Sequence, residues 1–288
     1  MAILIDGNTR LVVQGITGTS GLLQTKVMID YGTNVVAGVT PGKGGRTVEG
    51  VPVYDFVGDA VREHGANALI SFVPPMFAWD AARESVDAGV ELLVLTMEGI
   101  PLHDATRILA YAKERGTRVV GPGTAGIISP GKSKVGAHPA RMFAPGDVGV
   151  VSKSGALSYE IGKTLTDAGI GQSTVVALGG GPLWGTTQRE VIALFNDDPE
   201  TRVILLLGEI GGSMEDDAAE YIGQCVEKPV VALIVGRSAP KGRSLGHAGA
   251  IVTGSKGTAE AKMRRLTEAG VTIARTPAEV VETIGKMR

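Results

Sequence analysis

The sequence predicts an α/β protein with two parallel sheets, and three observations carry that prediction. Short apolar runs alternate with segments of helical composition along almost the whole chain. The 42 glycines cluster where those apolar runs end, as expected of strand-to-helix turns. The alternation stops over residues 122–146, which are rich in Gly and Pro, and then resumes. We therefore expect a domain over 1–121, a linker over 122–146 and a second domain over 147–288.

Size, charge and cysteine content narrow the class of protein. The 288 residues, 43% of them hydrophobic, are enough for two cores. A net charge of −2 indicates neither a nucleic-acid groove nor an anionic membrane surface, and no apolar run approaches the ~20 residues of a membrane span. Asp6 and Arg10 interrupt the first apolar runs, so we expect no signal peptide. The single cysteine, Cys225, fits a reducing compartment such as the cytoplasm or a mitochondrial matrix.

The first unit is a strand, a glycine-rich turn and a helix. The strand Leu11–Val13 runs into Gly15–Gly21, and a helix over 22–31 and a strand over 34–39 follow. Backbone N–H groups at the start of such a helix can hold phosphate oxygens. The spacing G-x-x-G-x-x-G differs from the dinucleotide pattern G-x-G-x-x-G, so a phosphate site and a plain tight turn are both compatible with it.

The end of the second strand indicates which cofactor the turn would hold. An NAD site places Asp or Glu there to bind the ribose 2′-hydroxyl. Residues 40–46 contain Lys43 and Arg46 and no acid. A cationic pocket suits a ribose that carries an extra phosphate, as in NADP or coenzyme A, and disfavours NAD. The alternative is that both cations are solvated loop residues.

The alternation continues to the end of the first domain. Further strands are predicted over 51–53, 68–73, 92–96 and 118–120, with helices that end at His64, Ala88 and Arg115. Parallel strands bring their carboxyl ends to one edge of a sheet. The turn Gly15–Gly21, Lys43 and Thr96–Glu98 should therefore line one crevice. We assign no function to His64 or His103, which fall on predicted helix surfaces.

The linker contains a sequence that imitates a nucleotide-binding loop. Residues 126–133 match G-x-x-x-x-G-K-[ST] at every position. A true P-loop opens a helix, but Gly136, Pro139 and Pro145 follow and no helix of useful length tolerates them. We therefore reject a nucleotide site here. His138 lies in the same segment and is predicted to be a loop residue.

The second domain repeats the pattern of the first. The strand Val148–Val151 leads through Ser152–Leu157 into a helix that contains Tyr159 and Glu160. Ser154 and Gly155 would start that helix and present its N–H groups to an anion. Later strands are predicted over 174–178, 203–207 and 230–235, and later helices over 187–195, 214–226 and 259–269.

The segment Gly242–Ile251 displays His247 among small residues. Bulky apolar neighbours would surround a core histidine, so this pattern indicates a nucleophile or a general base. Lys241 and Arg243 lie just upstream and could hold an anion. Glu209 follows the preceding strand, and its carboxylate could hold one ring nitrogen so that the other acts as the nucleophile. The alternatives are a turn histidine and a loop acid without function.

Four segments resemble the α subunit of the succinyl-CoA synthetase family. They are Gly246–Ile251 after Ala239–Gly242, Gly208–Gly212, Ser152–Gly155 with Tyr159-Glu160, and Gly38–Gly45. The likeness covers nearly the whole chain. It implies a Rossmann-like CoA-binding domain followed by a flavodoxin-like ligase domain that carries a phosphohistidine.

The resemblance also implies a partner. In the family, a β subunit with an ATP-grasp fold binds Mg²⁺ and ATP or GTP, and the assembly is αβ or α₂β₂. Succinate, CoA and a nucleoside triphosphate then give succinyl-CoA, the nucleoside diphosphate and phosphate, through an acyl phosphate and the phosphohistidine.

The same resemblance implies roles for individual residues of this chain at the positions that match the family. The phosphoryl group would be carried by His247, with its ring oriented by Glu209. The residues that would bind CoA are Thr17, Gly18, Thr19, Ser20, Lys43, Thr96, Met97 and Glu98. The phosphate would meet Ser154 and Gly155, and Tyr159 would lie near the acid substrate and the partner.

Two loops depart from the family pattern. The family usually has Gly-Pro-Asn-Cys/Thr-Pro-Gly where residues 121–126 read Gly-Pro-Gly-Thr-Ala-Gly, and Gly-Gly-Asp-Pro where residues 179–182 read Gly-Gly-Gly-Pro, followed by Leu183-Trp184. The acid could therefore be malate or another short dicarboxylate. Two alternatives from other classes are a non-catalytic CoA- or NADP-binding regulatory module and an NADP oxidoreductase, although no catalytic pair for the latter is recognisable.

Overall fold

Two mainly parallel sheets, one in each half of the chain, organise the protein. The structure, a computed structural model, describes residues 2–239, 246–252 and 257–288. Within those residues each sheet has seven strands, and helices connect most of the parallel ones. In the same part of the chain, no helix is long and apolar enough to cross a bilayer.

The first sheet has Rossmann topology. Its strands are β1 (Leu11–Gln14), β2 (Val35–Val39), β3 (Thr47–Val48), β4 (Val51–Tyr54), β5 (Ala68–Ser71), β6 (Leu92–Leu95) and β7 (Arg118–Val120). Its helices are α1 (Thr19–Tyr31), α2 (Val57–His64), α3 (Ala78–Asp87) and α4 (Leu102–Glu114). The strand order is β3-β4-β2-β1-β5-β6-β7, with β3 antiparallel to β4. Without that edge strand, this is the order 3-2-1-4-5-6 of dinucleotide-binding folds, so the predicted fold class is confirmed.

The second sheet contains the flavodoxin-like order. Its strands are β8 (Gly126–Ser129), β9 (Ser133–Gly136), β10 (Pro145–Ser152), β11 (Gln172–Ala177), β12 (Val203–Glu209), β13 (Val230–Val235) and β14 (Thr272–Ala274). Its helices are α5 (Gly155–Asp167), α6 (Gln188–Asp197), α7 (Met214–Cys225), α8 (Ala259–Glu268) and α9 (Pro277–Met287). Strands β11-β10-β12-β13-β14 follow the order 2-1-3-4-5, and the hairpin β8–β9 extends the sheet beyond β11.

The hairpin β8–β9 lies within the predicted linker. Gly126 and Gly136 face each other across it, both with positive φ, and a Cβ on Gly126 would lie 2.0 Å from the carbonyl oxygen of Val135. The glycines that suggested a linker are therefore required by the close approach of two strands. The P-loop imitation falls on this hairpin, so no helix follows it. We propose that residues 126–136 belong with the second domain.

The same hairpin joins the two domains. The Ser129 hydroxyl donates to the carbonyl of Ile5 at 3.0 Å, and the hydroxyl of Thr33 donates to the carbonyl of Lys134 at 2.8 Å. The N–H of Gly131 donates to the hydroxyl of Tyr31 at 2.9 Å. One hydrophobic cluster also includes buried side chains from both sheets. The two sheets are thus held in a defined relation to each other.

Candidate active site

A cavity of about 730 Å³ is lined by strand ends from both domains. Thr96 follows β6, Ser154 follows β10, Gly180 follows β11 and His247 follows β13. All four lie at carboxyl ends of parallel strands, where ligands bind in open α/β sheets. The topology therefore gathers into one space side chains that lie far apart in the sequence.

His247 and Glu209 form a close pair at this cavity. Nδ1 of His247 lies 2.7 Å from Oε2 of Glu209, the last residue of β12. The carboxylate is buried, whereas 28% of the imidazole surface is exposed. The carboxylate therefore faces the Nδ1 side of the ring, as the sequence predicted for a histidine that reacts through its other nitrogen. The sequence predicts that Glu209 and His247 lie at the same edge of the second sheet, and the structure places them in contact.

The backbone at Gly180 supports the imidazole ring. A Cβ at this position would lie 2.4 Å from Cδ2 of His247 and 2.7 Å from its Nε2. Such distances are far below van der Waals contact, so only glycine allows the ring to occupy this place. The loop after β11 is therefore shaped to receive the histidine.

A cluster of buried charges lies behind Glu209. The ammonium of Lys153 lies 3.4 Å from Oε1 of Glu209 and 3.4 Å from Oε1 of Glu215. Lys262 pairs with the other oxygen of Glu215 and donates to the backbone carbonyl of Glu209 at 2.8 Å. Burial lowers the pKa of Lys262, and the neighbouring Glu215 acts against that shift. Two lysines and two glutamates thus balance one another in a site with almost no solvent.

The N-terminus of α5 lies at this cavity, where the sequence predicted an anion site. Ser154 is the N-cap, and its hydroxyl accepts from the N–H of Leu157 at 3.3 Å. Ser154 and Gly155 line the same cavity as His247. The first N–H groups of a helix have no partner within the helix and carry the positive end of its dipole. An anion attached to His247 would therefore meet favourable dipoles.

Tyr159 projects from α5 into the cavity and packs on His138. Burial raises the pKa of the Tyr159 hydroxyl. His138 does lie in a loop, as predicted, but its ring is completely buried, 5.4 Å from the ring of Tyr159 and 5.5 Å from that of Phe143. This burial, with the nearby charge of Lys134, lowers the pKa of His138 to about 3. His138 is therefore a neutral core residue beneath the tyrosine.

The glycine turn of the first domain exposes a second helix N-terminus. Gly18 is the N-cap of α1, and Gly18, Thr19 and Ser20 are exposed to solvent. A Cβ on Gly21 would lie 2.1 Å from the carbonyl oxygen of Gly15. The turn is therefore tight, and it offers the N–H groups of the first turn of α1 to an anion.

Lys43 lies in the loop after β2. The carboxylate of Asp55 accepts from the N–H groups of Lys43 and Gly44, both at 2.9 Å, which fixes the loop. Among the described residues that line the His247 cavity, the predicted set Thr96, Met97 and Glu98 is present, whereas Thr17–Ser20 and Lys43 are outside it.

Hydrogen bonds connect the strand ends that lie between the glycine turn Gly15–Gly21 and the cavity residues Thr96–Glu98. The Thr96 hydroxyl donates to the carbonyl of Ser71, and the Ser71 hydroxyl donates to Oε1 of Gln14, both at 2.8 Å. These bonds link the ends of β6, β5 and β1 in turn. The glycine turn and the cavity therefore lie along one continuous edge of the first sheet.

Both loops that depart from the family pattern reach the site. Thr124, Ala125 and Leu183 line the cavity. The indole N–H of Trp184 donates to the carbonyl of Gly179 at 2.7 Å, and its ring centroid lies 5.2 Å from the ammonium of Lys153. The predicted anion-binding residues Lys241 and Arg243 lie outside the described residues.

Sequence reasoning missed the buried charges, although a signal for them exists. Lys262 lies at helical spacing from the buried Ala259 and Leu266, and Glu215 lies at helical spacing from the buried Ala219 and Ile222. A charge on the apolar face of a helix needs a partner. Glu215 on α7 and Lys262 on α8 carry opposite charges at such positions, and this pattern predicts that the two side chains pair.

Comparisons with known proteins agree with this architecture. Residues 6–99 match the CoA binding domain family, and residues 151–272 match the CoA-ligase family. The chain is 53% identical to the succinate–CoA ligase [ADP-forming] subunit alpha 1 of Archaeoglobus fulgidus over 100% of this chain and 98% of the relative. It is 51% identical to the subunit alpha of Aquifex aeolicus, over 100% and 95% of the two chains.

Solved structures share the fold. ATP citrate lyase from Methanothrix soehngenii, in complex with citrate and coenzyme A, matches with a TM-score of 0.90 at 24% identity over 99% of this chain. The match covers 51% of the lyase, so this chain spans about half of its length. The protein PH0766 from Pyrococcus horikoshii matches with a TM-score of 0.72 at 21% identity, over 94% of this chain and 58% of that chain.

Proposed function

We propose, from the premise that this chain belongs to the family of succinate–CoA ligase α subunits, that His247 carries the phosphoryl group in the ligation of succinate to CoA. As a member of that family, the chain is a subunit of a nucleotide-dependent acid–CoA ligase. The observation that carries the proposal is the contact between Nδ1 of His247 and Glu209 at a cavity lined from both domains. The names of the relatives favour succinate over malate, and they favour a ligase over a regulatory module or an NADP oxidoreductase.

In this proposal Nε2 of His247 is first nucleophile and then leaving group. Its lone pair forms the N–P bond as the nucleoside diphosphate departs, and positive charge develops on the ring. Glu209 stabilises that charge through Nδ1–H. An oxygen of the acid then attacks phosphorus, the N–P bond breaks, and an acyl phosphate forms. The CoA sulfur attacks the acyl carbon, and phosphate leaves.

The N-terminus of α5 would hold the phosphoryl group during these steps. Ser154 and Gly155 lie at the cavity wall, and their helix directs its dipole toward it. Fixed dipoles stabilise the spread negative charge of a transferring phosphoryl group without reorganisation. Tyr159, one turn further along the helix, would border the acid.

CoA would follow the edge of the first sheet toward His247. We propose that Thr17, Gly18, Thr19 and Ser20 hold its phosphates, because the turn and the start of α1 are exposed and free of bulky side chains. Lys43 would meet the phosphorylated ribose. Thr96, Met97 and Glu98 would border the arm that carries the thiol, since they line the cavity that contains His247.

The partner would supply the nucleotide. The relatives are named as alpha subunits of ADP-forming enzymes. We propose that an ATP-grasp β subunit binds Mg²⁺ and ATP and presents the γ-phosphate to His247, in an αβ or α₂β₂ assembly. The ligase would act in the cytoplasm.

Labelling with [γ-³²P]ATP and Mg²⁺ tests the proposal in the complex of this chain with its β subunit. We expect an acid-labile, base-stable phosphate on the wild-type chain and none on His247→Asn. His103→Asn is the matched control, because 83% of that side chain is exposed on the surface of α4 and the variant should label as the wild type does. A His247→Asn chain that labels normally would refute the assignment.

A further inference from the structure

We propose that Lys153 is a positioning residue, which holds the Glu209 carboxylate so that His247 keeps its proton on Nδ1 and presents Nε2 to the cavity. The inference rests on the proposed phosphohistidine function and adds to it the group that prepares the nucleophile. Lys153 acts through Glu209, and we assign it no contact with substrate.

The two oxygens of Glu209 have different partners. Oε2 lies 2.7 Å from Nδ1 of His247, and Oε1 lies 3.4 Å from the ammonium of Lys153. Opposite charge on each side of the carboxylate favours one rotation of it about its last bond. With Oε2 directed at Nδ1, that rotation favours the tautomer with the proton on Nδ1.

Lys153 is itself fixed from three directions. Its ammonium lies 3.4 Å from Oε1 of Glu215, and the ring of Trp184 covers it at 5.2 Å. Glu215 is held in turn by Lys262 and by the backbone N–H of Glu209, which donates to it at 3.2 Å. Only 1% of the Lys153 surface is exposed, so solvent does not screen these contacts.

A purely structural role would explain why Lys153 is buried and paired with glutamates. It would not explain why Glu209 faces Lys153 with one oxygen and His247 with the other. Removing one partner from a buried pair leaves an uncompensated charge and lowers stability wherever the pair lies. The position of the Nδ1 proton, in contrast, responds to the orientation of the carboxylate that faces the ring. A measurement of the tautomer therefore separates positioning from stability.

Lys134 provides a matched control for burial. Its side chain is fully buried, and its ammonium donates to the carbonyl of Gly136 in the hairpin β8–β9 at 2.6 Å. Replacing either lysine with Met removes a buried ammonium of the same size. Only Lys153→Met also removes a contact of Glu209.

The experiment combines ¹⁵N NMR of selectively labelled histidine in the full chain with the labelling rate in the complex with the β subunit. The chain has only four histidines, so the ring nitrogens of His247 can be identified with His247→Asn. We expect the Nδ1–H tautomer in the wild type and a mixture of tautomers in Lys153→Met. The labelling rate should fall about 10- to 100-fold in Lys153→Met, as misplacement of a reacting group does, and Lys153→Arg should restore most of it.

The outcomes separate the two proposals. If the wild type is not phosphorylated, the proposed function fails, and the tautomer comparison still decides the role of Lys153. If the wild type is phosphorylated but Lys153→Met keeps both the tautomer and the rate, or changes them no more than Lys134→Met does, the positioning role is refuted. Should Lys153→Met not fold, Lys153→Met/Glu215→Gln removes one charge of each sign and is tested in the same way.

Discussion

Both domains contain a helix N-terminus that follows a parallel strand, but the electrostatic surroundings of the two helix starts differ. In the first domain, Gly18 is the N-cap of α1, and Gly18, Thr19 and Ser20 are exposed to solvent. In the second domain, α5 starts at Ser154, and the adjacent Lys153 is buried between two glutamates. The first helix start is open to solvent, whereas the second is combined with a set of buried charges.

Under the proposed function, this difference follows from what each site would have to do. A CoA phosphate stays intact when bound, and exposed amides at a helix start are enough to hold it. A histidine that forms and breaks a bond to phosphorus must keep one tautomer and one orientation, and a fraction of an ångström affects its rate. Buried charges provide that rigidity, and their cost of desolvation is offset because two lysines balance two glutamates.

The largest effect is expected where the backbone supports the imidazole. Gly180→Ala would place a Cβ 2.4 Å from Cδ2 of His247 and displace the ring from Glu209. We expect phosphorylation to slow by at least about 100-fold, because a shift of about 1 Å costs that much. Labelling rates in the complex measure this. Gly181→Ala is the control, since its Cβ would meet only the Leu183 carbonyl oxygen at 3.9 Å; equal rates in both variants would contradict the arrangement.

A smaller effect of a different kind is expected in the first domain. Gly21→Ala would place a Cβ 2.1 Å from the carbonyl oxygen of Gly15 and open the turn before α1. Affinity for CoA should fall about tenfold, the size of one charge-assisted hydrogen bond lost, while phosphorylation of His247 by ATP stays unchanged. Isothermal titration with CoA and the labelling assay separate the two. Gly58→Ala, which has open space in α2, should leave both unchanged; a loss of labelling in Gly21→Ala would show that the two sites are not separate.

The effect with the least influence on activity concerns acid stability and arises in the second domain. Burial lowers the pKa of His138 to about 3, so the folded chain keeps this ring neutral while the unfolded chain binds a proton below about pH 6.5. The free energy of unfolding should therefore fall as the pH drops from 6.5 to 5, by up to about 1.4 kcal/mol per pH unit from this group. Urea unfolding at several pH values measures the slope. His138→Leu should flatten it, and His103→Leu, on an exposed side chain, should not; equal slopes in the two variants would exclude His138 as the source.

The sequence predicted those parts of the site that follow from strand ends. The apolar runs predict the parallel strands. Because the carboxyl ends of parallel strands share an edge of the sheet, the sequence also predicts that Glu209 and His247 lie close together. The sequence could not predict that Lys153 is buried, because a lysine between two serines at a strand end has the same local sequence whether its side chain is buried or solvated. Its burial depends on Glu215 and Lys262, which come from helices more than 50 residues further along the chain.

The hairpin β8–β9 was missed for a related reason. Gly126 and Gly136 resemble linker residues by composition, but each has positive φ and faces the other strand at a distance that excludes a side chain. Such proximity is a property of paired strands and appears only when both are in place. His138 was assigned to a loop correctly, yet the packing of Phe143 and Tyr159 around it was likewise not visible in the local sequence.

If Glu209 holds Nδ1 of His247, phosphate is carried on Nε2. The most direct test is ³¹P NMR of the denatured chain after phosphorylation in the complex, because phosphate on the two ring nitrogens gives distinct resonances. We expect a single resonance of phosphohistidine substituted at Nε2. Phosphate on Nδ1, or on any residue other than His247, would contradict it.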